Sequence, residues 1–482
     1  MKIKKLIQDL DIEIVKGSKE TEIWGITNHS KSVGPGFLYI AKRGKTFDGN
    51  DYVPDAILAG ACAIVTDIFN PFLENIVQLI CQNIEKIEPI LASRFYKDPA
   101  ASIFLVGVTG TSGKTTSTYL TSHLLNQIEP TGIMGSIERR LGDFQMNSDL
   151  NTPDAITCQK MLHEMLIRGG KSVCMEVSSH GLSQNRVEGI FYDIAVFTNL
   201  TPEHLDYHKD MEEYGSVKKR LFSKIKKGGI AVVNIDDPRA EWMIDRVQER
   251  IVTYGIEKEG DYKAKNIRFD VKETTFTLVF PKGEIEIKMP LIGRFNVYNA
   301  LVAIVVAMER GVTTEQIQEG FLTVPQVLGR MEKIEAKNGA LIFVDYAHKA
   351  AALEKVLETL KEIAHGKIVT VFGCGGDRDR NKRPLMGKIA ERFSDLVIVT
   401  NDNPRGEDPE EIIEEILSGF SKDKHRVILD RKEAISVGIK ELRSGDVLLI
   451  AGKGHEKVQI IEGREKNFDD AEVAKELIDS LI

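Results

Sequence analysis

The chain of 482 residues contains no run approaching the roughly 18–20 consecutive apolar residues that a membrane span requires. It also lacks the cysteine usage of a disulfide-framed secreted domain. Its five cysteines (Cys62, Cys81, Cys158, Cys174 and Cys374) are odd in number, scattered, and never form a C-x-x-C pair. That pattern is neither a disulfide framework nor a zinc site, and it fits a reducing compartment. A basic surplus is missing too: 72 acidic against 64 basic residues give a formal charge of −8, the wrong sign for a general nucleic-acid binder. Lys2, Lys4 and Lys5 are followed by Asp9, Asp11 and Glu13, where a secretory signal needs an apolar core. Internal repeats and low-complexity tracts are absent. The expectation is a cytoplasmic protein with no nucleic-acid partner and no membrane span, long enough for roughly two to four domains.

What is present is an α/β pattern in three segments, residues 1–98, 99–330 and 331–482. The first mixes short strands (Phe37 to Ala41, Ala63 to Thr66) with turns such as Gly34-Pro35-Gly36. The second opens on an apolar strand, Ile103 to Val108, that runs through a glycine-rich loop into a helix from about Thr115. Further apolar strands follow at Ser172 to Val177, Ile194 to Asn199 and Ile230 to Ile235, as in a parallel sheet covered on both faces. Tyr262 to Pro290 alternates and is charged, which predicts an antiparallel hairpin excursion. The third segment alternates strands with helices at about Ala352 to His365, Pro384 to Phe393, Pro409 to Phe420 and Lys432 to Leu442. That succession predicts a Rossmann-like doubly wound domain beside a central P-loop sheet.

The most specific single motif is Gly107-Val108-Thr109-Gly110-Thr111-Ser112-Gly113-Lys114-Thr115-Thr116. Glycines let the backbone wrap phosphate oxygens, and the following helix aims its first N–H groups at them. Lys114 reaches the β- and γ-phosphates, and the Thr115 hydroxyl suits Mg²⁺. The spacing departs from G-x-x-x-x-G-K-[ST], with Val108 where the first glycine belongs and Gly110 three residues before Gly113. Strand, loop, Lys-Thr-Thr and helix nevertheless occur in order, so ATP binding through Gly110 to Thr116 is expected.

A T-G-T-x-G-K-T-T loop at about this depth in a chain resembles that of the Mur ligases, and further matches follow in order over essentially the whole sequence. They are Glu176-Val177-Ser178-Ser179-His180-Gly181-Leu182, Thr198 to His208, Gly293-Arg294-Phe295-Asn296-Val297-Tyr298-Asn299, Gly329-Arg330-Met331-Glu332 and Asp345-Tyr346-Ala347-His348. The resemblance implies an ATP-dependent ligase of peptidoglycan biosynthesis. Such an enzyme activates a carboxylate as an acyl phosphate, which an incoming amine attacks to leave an amide. It also implies two Mg²⁺ ions held by Thr115, Glu176, His204 and Lys218, the last carrying a carbamate derived from CO₂, with Lys114, Glu176, His204 and Lys218 as the catalytic set. His208 is a weaker candidate. From residues alone, Lys218 beside Lys219 and Arg220 reads as a solvated helix face; only its place after Glu176 and His204 favours a role. Asn296, Asn299, Arg330 and Asp345 are implied contacts of the nucleotide. The family's Thr-Pro after Asp-Tyr-Ala-His is replaced here by Lys349-Ala350, a departure that bears on local loop shape.

By the same resemblance the acceptor is UDP-N-acetylmuramoyl-L-alanyl-D-glutamate. Ser30, Lys45, Thr46 and Phe47 match the uridine end, although the family's Asp-Ser-Arg appears here as His29-Ser30-Lys31. Asn151, Thr152, Ser178, Gln184 and Arg186 match positions gripping sugar, pyrophosphate and dipeptide; Ser178 and Arg186 suit oxyanions chemically. Asp402-Asn403-Pro404-Arg405 follows a strand at the carboxyl edge of the third segment, and this motif accompanies meso-diaminopimelate in the family. The physical reason is the distal carboxylate of that substrate, which a guanidinium pairs bidentately and which lysine lacks. Arg378 matches a second contact, and Gly452 (through its carbonyl) and Glu456 match holders of the distal ammonium. A monomer is expected.

Three alternatives stand beside this reading. The L-lysine-adding ligase should lack the arginine at 405, and folylpolyglutamate synthetase should lack the Ser30 and Arg186 pattern. A P-loop NTPase switch or nucleotide-gated binding module would hydrolyse ATP without an acceptor and has no need of Glu176, His204 and Lys218 together. A NAD-dependent enzyme is disfavoured, because Gly373-Cys374-Gly375-Gly376 does not complete G-x-G-x-x-G.

Overall fold

The computed structural model describes residues 1–44, 47–146, 150–422 and 424–480. It resolves into two compact units, one of Met1–Tyr254 with Val302–Val312 and one of Gly255–Leu301 with Thr313–Ile482. No helix among the described residues is long and apolar enough to cross a membrane.

The first unit holds two sheets. The smaller runs in the order Glu13–Lys16, Val77–Ile80, Ala63–Thr66, Phe37–Ile40, Gly25–Thr27, with only Glu13–Lys16 antiparallel. The larger has six parallel strands in the order Arg250–Gly255, Ile225–Asn234, Tyr192–Phe197, Phe104–Thr109, Ser172–Glu176, Thr131–Met134, continued by antiparallel Arg139–Leu141 and Phe144–Met146. All five residues of Ser172–Glu176 are buried, as the near-continuous apolar run requires of a strand covered on both faces. Phe104–Thr109 pairs with Ser172–Glu176 on one side and Tyr192–Phe197 on the other. The chain order reverses at this strand, and it is at such a reversal that the carboxyl ends of a parallel sheet open a crevice for a ligand.

In the second unit, Tyr262 to Pro290 forms three antiparallel strands, Tyr262–Phe269, Thr274–Phe280 and Gly283–Met289, where the sequence suggested a single hairpin. The main sheet runs Glu332–Glu335, Leu341–Asp345, Val447–Ala451, Ile368–Phe372, Leu396–Val399, His425–Val427, parallel except at Glu332–Glu335. Helices Ala350–Ile363, Lys382–Phe393 and Pro409–Leu417 pack one face through Leu353, Leu357, Met386 and Ile416. Arg431–Lys440 and Asp470–Ser480 pack the other through Ile435, Ile439 and Ala474. This is the doubly wound arrangement that the sequence predicted.

Lys349 occupies the N-cap of Ala350–Ile363 with extended backbone and no side-chain capping bond. Threonine there would accept from a first-turn N–H, so Lys349→Thr is expected to stabilise the fold by about 1 kcal/mol. Chemical denaturation is the measurement, and an unchanged or lower midpoint would contradict it.

Candidate functional site

The phosphate loop leaves the strand Phe104–Thr109 and enters the helix Lys114–Leu125. Gly110 has φ +148°, and a Cβ on it would lie 1.9 Å from Thr198 Oγ1, so no side chain fits. Thr198 and Asn199, from the end of the neighbouring strand, brace the loop: Thr198 Oγ1 donates to Ser112 O at 2.7 Å, and Ser112 N donates to Asn199 Oδ1 at 3.0 Å. Lys114 Nζ donates to Gly110 O (2.9 Å) and Thr111 O (2.8 Å), and is thus folded back over its own loop. Thr116 is buried on the same helix.

Glu176 ends its strand level with Val108 and is fully buried. Its Oε2 accepts from Thr115 Oγ1 at 3.0 Å, and its Oε1 accepts from Ser136 N at 2.8 Å and Ser136 Oγ at 3.0 Å. A carboxylate and two hydroxyls beside a phosphate loop form a hard-oxygen donor set. Among the described residues no three His, Cys, Asp or Glu side chains form a metal cage. Mg²⁺ needs none, because it binds through one or two carboxylates plus substrate phosphates and water. The residues fit that ion.

Lys218 lies on the helix Met211–Lys219 and is 1% exposed, not the solvated lysine its neighbours suggested. Its Nζ donates to Gly110 O at 2.8 Å and lies 4.5 Å from the centre of the Tyr214 ring, whose hydroxyl meets Thr111 Oγ1 at 3.2 Å. Burial, reinforced by the Lys114 charge, holds its amine well below the ordinary lysine range. His204, at φ +55°, packs edge-on to His180 with ring centres 4.7 Å apart. Burial and the charge of Lys114 push His204 down to about 4, leaving a neutral imidazole suited to a metal. His208 is buried, and its Nε2 has no hydrogen-bond partner among the described residues.

Beside this cluster, Thr152 Oγ1 donates to Glu176 O and Ser178 Oγ, both at 3.0 Å, while Ser178 caps the helix Ser179–Ser183 through Gly181 N. Arg186 donates to Gln184 Oε1 (2.7 Å) and Thr152 O (2.8 Å), and Gln184 Nε2 donates to Tyr207 OH at 3.2 Å. The structure thus joins Thr152, Ser178, Gln184 and Arg186 in one network, with Asn151 exposed next to it. Ser30 opens the short turn Ser30–Ser32 and Phe47 is exposed against Tyr52. Lys45 and Thr46 lie outside the described residues.

In the second unit, Asn296 and Asn299 are buried on one helix, and Asn299 Nδ2 donates to Asn296 Oδ1 at 3.0 Å. Asp345 accepts from Met331 N (2.7 Å) and Ala347 N (2.8 Å), and Arg330 stacks 4.6 Å over Tyr346. Gly329 is pressed on the loop after Val447–Ala451: a Cβ there would lie 2.1 Å from His455 N. At the carboxyl edge, Arg405 Nη1 donates to Gly376 O at 2.8 Å, and its Nε and Nη2 carry no bond among the described residues. Asp402, Asn403 and Pro404 are buried and Arg378 is exposed. Gly452 sits close to Asp402, and Glu456 Oε2 accepts from Asn403 Nδ2 at 2.8 Å.

Three family models match in chain order: the Mur ligase family catalytic domain over residues 22–90, the Mur ligase middle domain over 108–307, and the Mur ligase glutamate ligase domain over 329–454. A UDP-N-acetylmuramoyl-L-alanyl-D-glutamate–2,6-diaminopimelate ligase of Chlamydia caviae is 40% identical over the full length of both chains. One of Bacillus cereus is 40% identical over 99% of this chain and 98% of that one. The chain belongs to the Mur ligase family. A solved structure of a ligase with the same name superposes with a TM-score of 0.70 at 32% identity, over 100% of this chain and 99% of that one. A MurF from Acinetobacter baumannii shares the fold, with a TM-score of 0.73 at 19% identity over 99% of this chain and 98% of that one.

Several residues of this Mur ligase that the sequence did not single out support its site. Tyr214 touches both the phosphate loop, at Thr111, and Lys218, and His180 packs against His204. Arg383, fully buried, donates to Glu407, just after Arg405, to Glu415 on the helix Pro409–Leu417 and to Gly375 O. Arg431 pairs with buried Asp470 and donates to Asn401 O and Ala451 O, tying two strand ends together. In the first unit, buried Glu88 accepts from Asn28 (2.5 Å) and Lys42 (2.7 Å).

The ligase should lose stability in acid. Burial pushes His348 down to about 4 and His455 down to about 3. Their contribution is therefore complete above about pH 6.5, the ordinary histidine value, and is lost as pH falls through the folded values. Asp345, pushed up to about 6 by burial, works in the opposite sense but over a smaller shift. Denaturant midpoints are expected to fall from pH 6.5 towards pH 4, with a shallower fall in His455→Gln. A profile identical to wild type in that variant would exclude His455 as a contributor.

Proposed function

We propose that this chain is an ATP-dependent ligase joining meso-2,6-diaminopimelate to the D-glutamyl residue of UDP-N-acetylmuramoyl-L-alanyl-D-glutamate in peptidoglycan synthesis. Arg405 carries the amino-acid assignment: its guanidinium is anchored by one nitrogen and keeps Nε and Nη2 for a carboxylate. Residues 1–98 take the uridine end, 99–330 hold ATP and the acceptor carboxylate, and 331–482 take the amino acid. The protein works in the cytoplasm as a monomer; its free cysteines suit that setting.

The reaction brings several negative charges together, and positioned cations must offset them. Lys114 leaves Gly110 O and Thr111 O for the β- and γ-phosphates of ATP. Arg186 and Ser178 hold the acceptor so that its carboxylate oxygen attacks the γ-phosphorus. The bond to the β-bridging oxygen breaks, ADP departs, and an acyl phosphate remains. Thr115, Glu176, His204 and a carbamoylated Lys218 would hold the two Mg²⁺ ions, which when bound would supply charge neutralisation at the phosphate oxygens. The neutral amine of diaminopimelate then attacks the acyl carbon, the C–O bond to phosphate breaks, and the nitrogen gives up a proton to leave the amide. Arg378 and Arg405 hold the carboxylate ends, and Gly452 O with Glu456 the distal ammonium.

The test is phosphate release with ATP, Mg²⁺ and the UDP-muramoyl dipeptide, comparing meso-diaminopimelate with L-lysine. Release dependent on diaminopimelate is expected. Equal release with lysine would keep the ligase and remove the selectivity assignment; release indifferent to acceptor and amino acid would remove both.

A further inference from the structure

Lys453 is a fully buried lysine outside every role assigned above. It sits on the loop after Val447–Ala451, and its Nζ donates to Val458 O at 2.6 Å, Asn403 Oδ1 at 3.2 Å and Glu456 Oε2 at 3.3 Å. A buried ammonium is costly unless its donors are matched, and here all three have acceptors. The arrangement also settles the Asn403 carboxamide. Its oxygen accepts from Lys453 and from Ile460 N (2.9 Å), so its nitrogen must face Glu456, to which it donates at 2.8 Å. Both bonds to Glu456 end on Oε2. Oε1 carries none among the described residues, and the Glu456 side chain is 31% exposed.

We propose that Lys453 is a positioning residue for amino-acid specificity. Its ammonium locks the Asn403 carboxamide and pins Glu456 by one oxygen, so that the other is presented to the distal ammonium of the substrate. This rests on the proposed diaminopimelate reading. Without the Lys453 charge the carboxamide can turn over, and Glu456 can swing to meet either end of it. The selectivity for a second amino group is then lost, whereas the grip on the carboxylates through Arg405 is kept.

The experiment compares meso-diaminopimelate with 2-aminopimelate, which keeps both carboxylates but lacks the distal amino group, in wild type and Lys453→Met. Wild type should prefer diaminopimelate, and a wild type inert with diaminopimelate would sink the underlying reading rather than this one. In Lys453→Met, KM for diaminopimelate should rise at least tenfold, while kcat/KM for 2-aminopimelate and KM for ATP stay within threefold. A parallel fall with both substrates would mark Lys453 as scaffold only, and preserved discrimination would overturn the proposal outright. Lys453→Gln, which keeps a donor without the charge, takes the same test if the methionine variant does not fold.

Discussion

Arg405→Ala is expected to lower kcat/KM for meso-diaminopimelate by about 10²–10⁴-fold while changing the rate with L-lysine less than threefold. Two charge-assisted hydrogen bonds to the distal carboxylate are at stake, at about 1.5–3 kcal/mol each, and about 1.4 kcal/mol corresponds to a factor of ten. Arg405 already sits at φ +55°, a conformation alanine finds no easier, so the backbone adds no relief that could mask the loss. One guanidinium nitrogen also bonds Gly376 O. A general collapse of that loop would therefore lower both amino acids together, and steady-state kinetics with each separates the two causes. Equal losses would assign Arg405 to loop architecture.

Lys218→Ala should reduce kcat by at least about a thousandfold, the scale on which a positioned electrostatic group in a dry site is felt. The proposed modification has the lysine nitrogen attack the carbon of CO₂ and release one proton, which turns a cation-forming group into an anion. That attack needs a neutral amine, and burial beside Lys114 favours that form by lowering the proton affinity of Lys218. Added acetate should restore part of the variant's activity by supplying a carboxylate in the vacated space. Wild type incubated with ¹³C-bicarbonate should show a carbamate carbon resonance that the variant lacks. Activity in Lys218→Ala above a tenth of wild type would rule the carbamate out of the mechanism.

Some of this was legible in the order of residues, and some was not, for identifiable reasons. The phosphate loop announces itself because strand, glycines, lysine and helix are contiguous. The Rossmann-like half does so because each buried strand is an apolar run closed by glycine or a polar residue. Glu176, Asp402 and Gly452 were readable as strand ends. Lys218 was not: its neighbours Lys219 and Arg220 make the segment look solvated, and burial comes from Tyr214 and the distant Gly110 carbonyl. Lys453, Arg383 and Arg431 are equally illegible, because a lone cation reads as surface until a distant partner, 20–50 residues away (Ala451 for Arg431, Glu407 for Arg383, Asn403 for Lys453), is brought to it. The three-stranded meander looks like a single hairpin in the sequence, since alternation marks strand character but does not count the turns.

The bonds that define the phosphate end have one more consequence, for how the molecule comes to be folded. Thr115 meets Glu176 across 61 positions of chain, Thr111 meets Tyr214 across 103, and Gly110 meets Lys218 across 108. Parallel strands joined by crossovers repay their loop-closure entropy only when the distant partners arrive, which makes such topologies slow to form. No short fragment of this polypeptide carries a working nucleotide cradle. The loop's own residues are contiguous, but its carboxylate, its buried amine and its tyrosine brace reach it only through these long-range contacts, so nucleotide binding is expected to appear only as the central strands close.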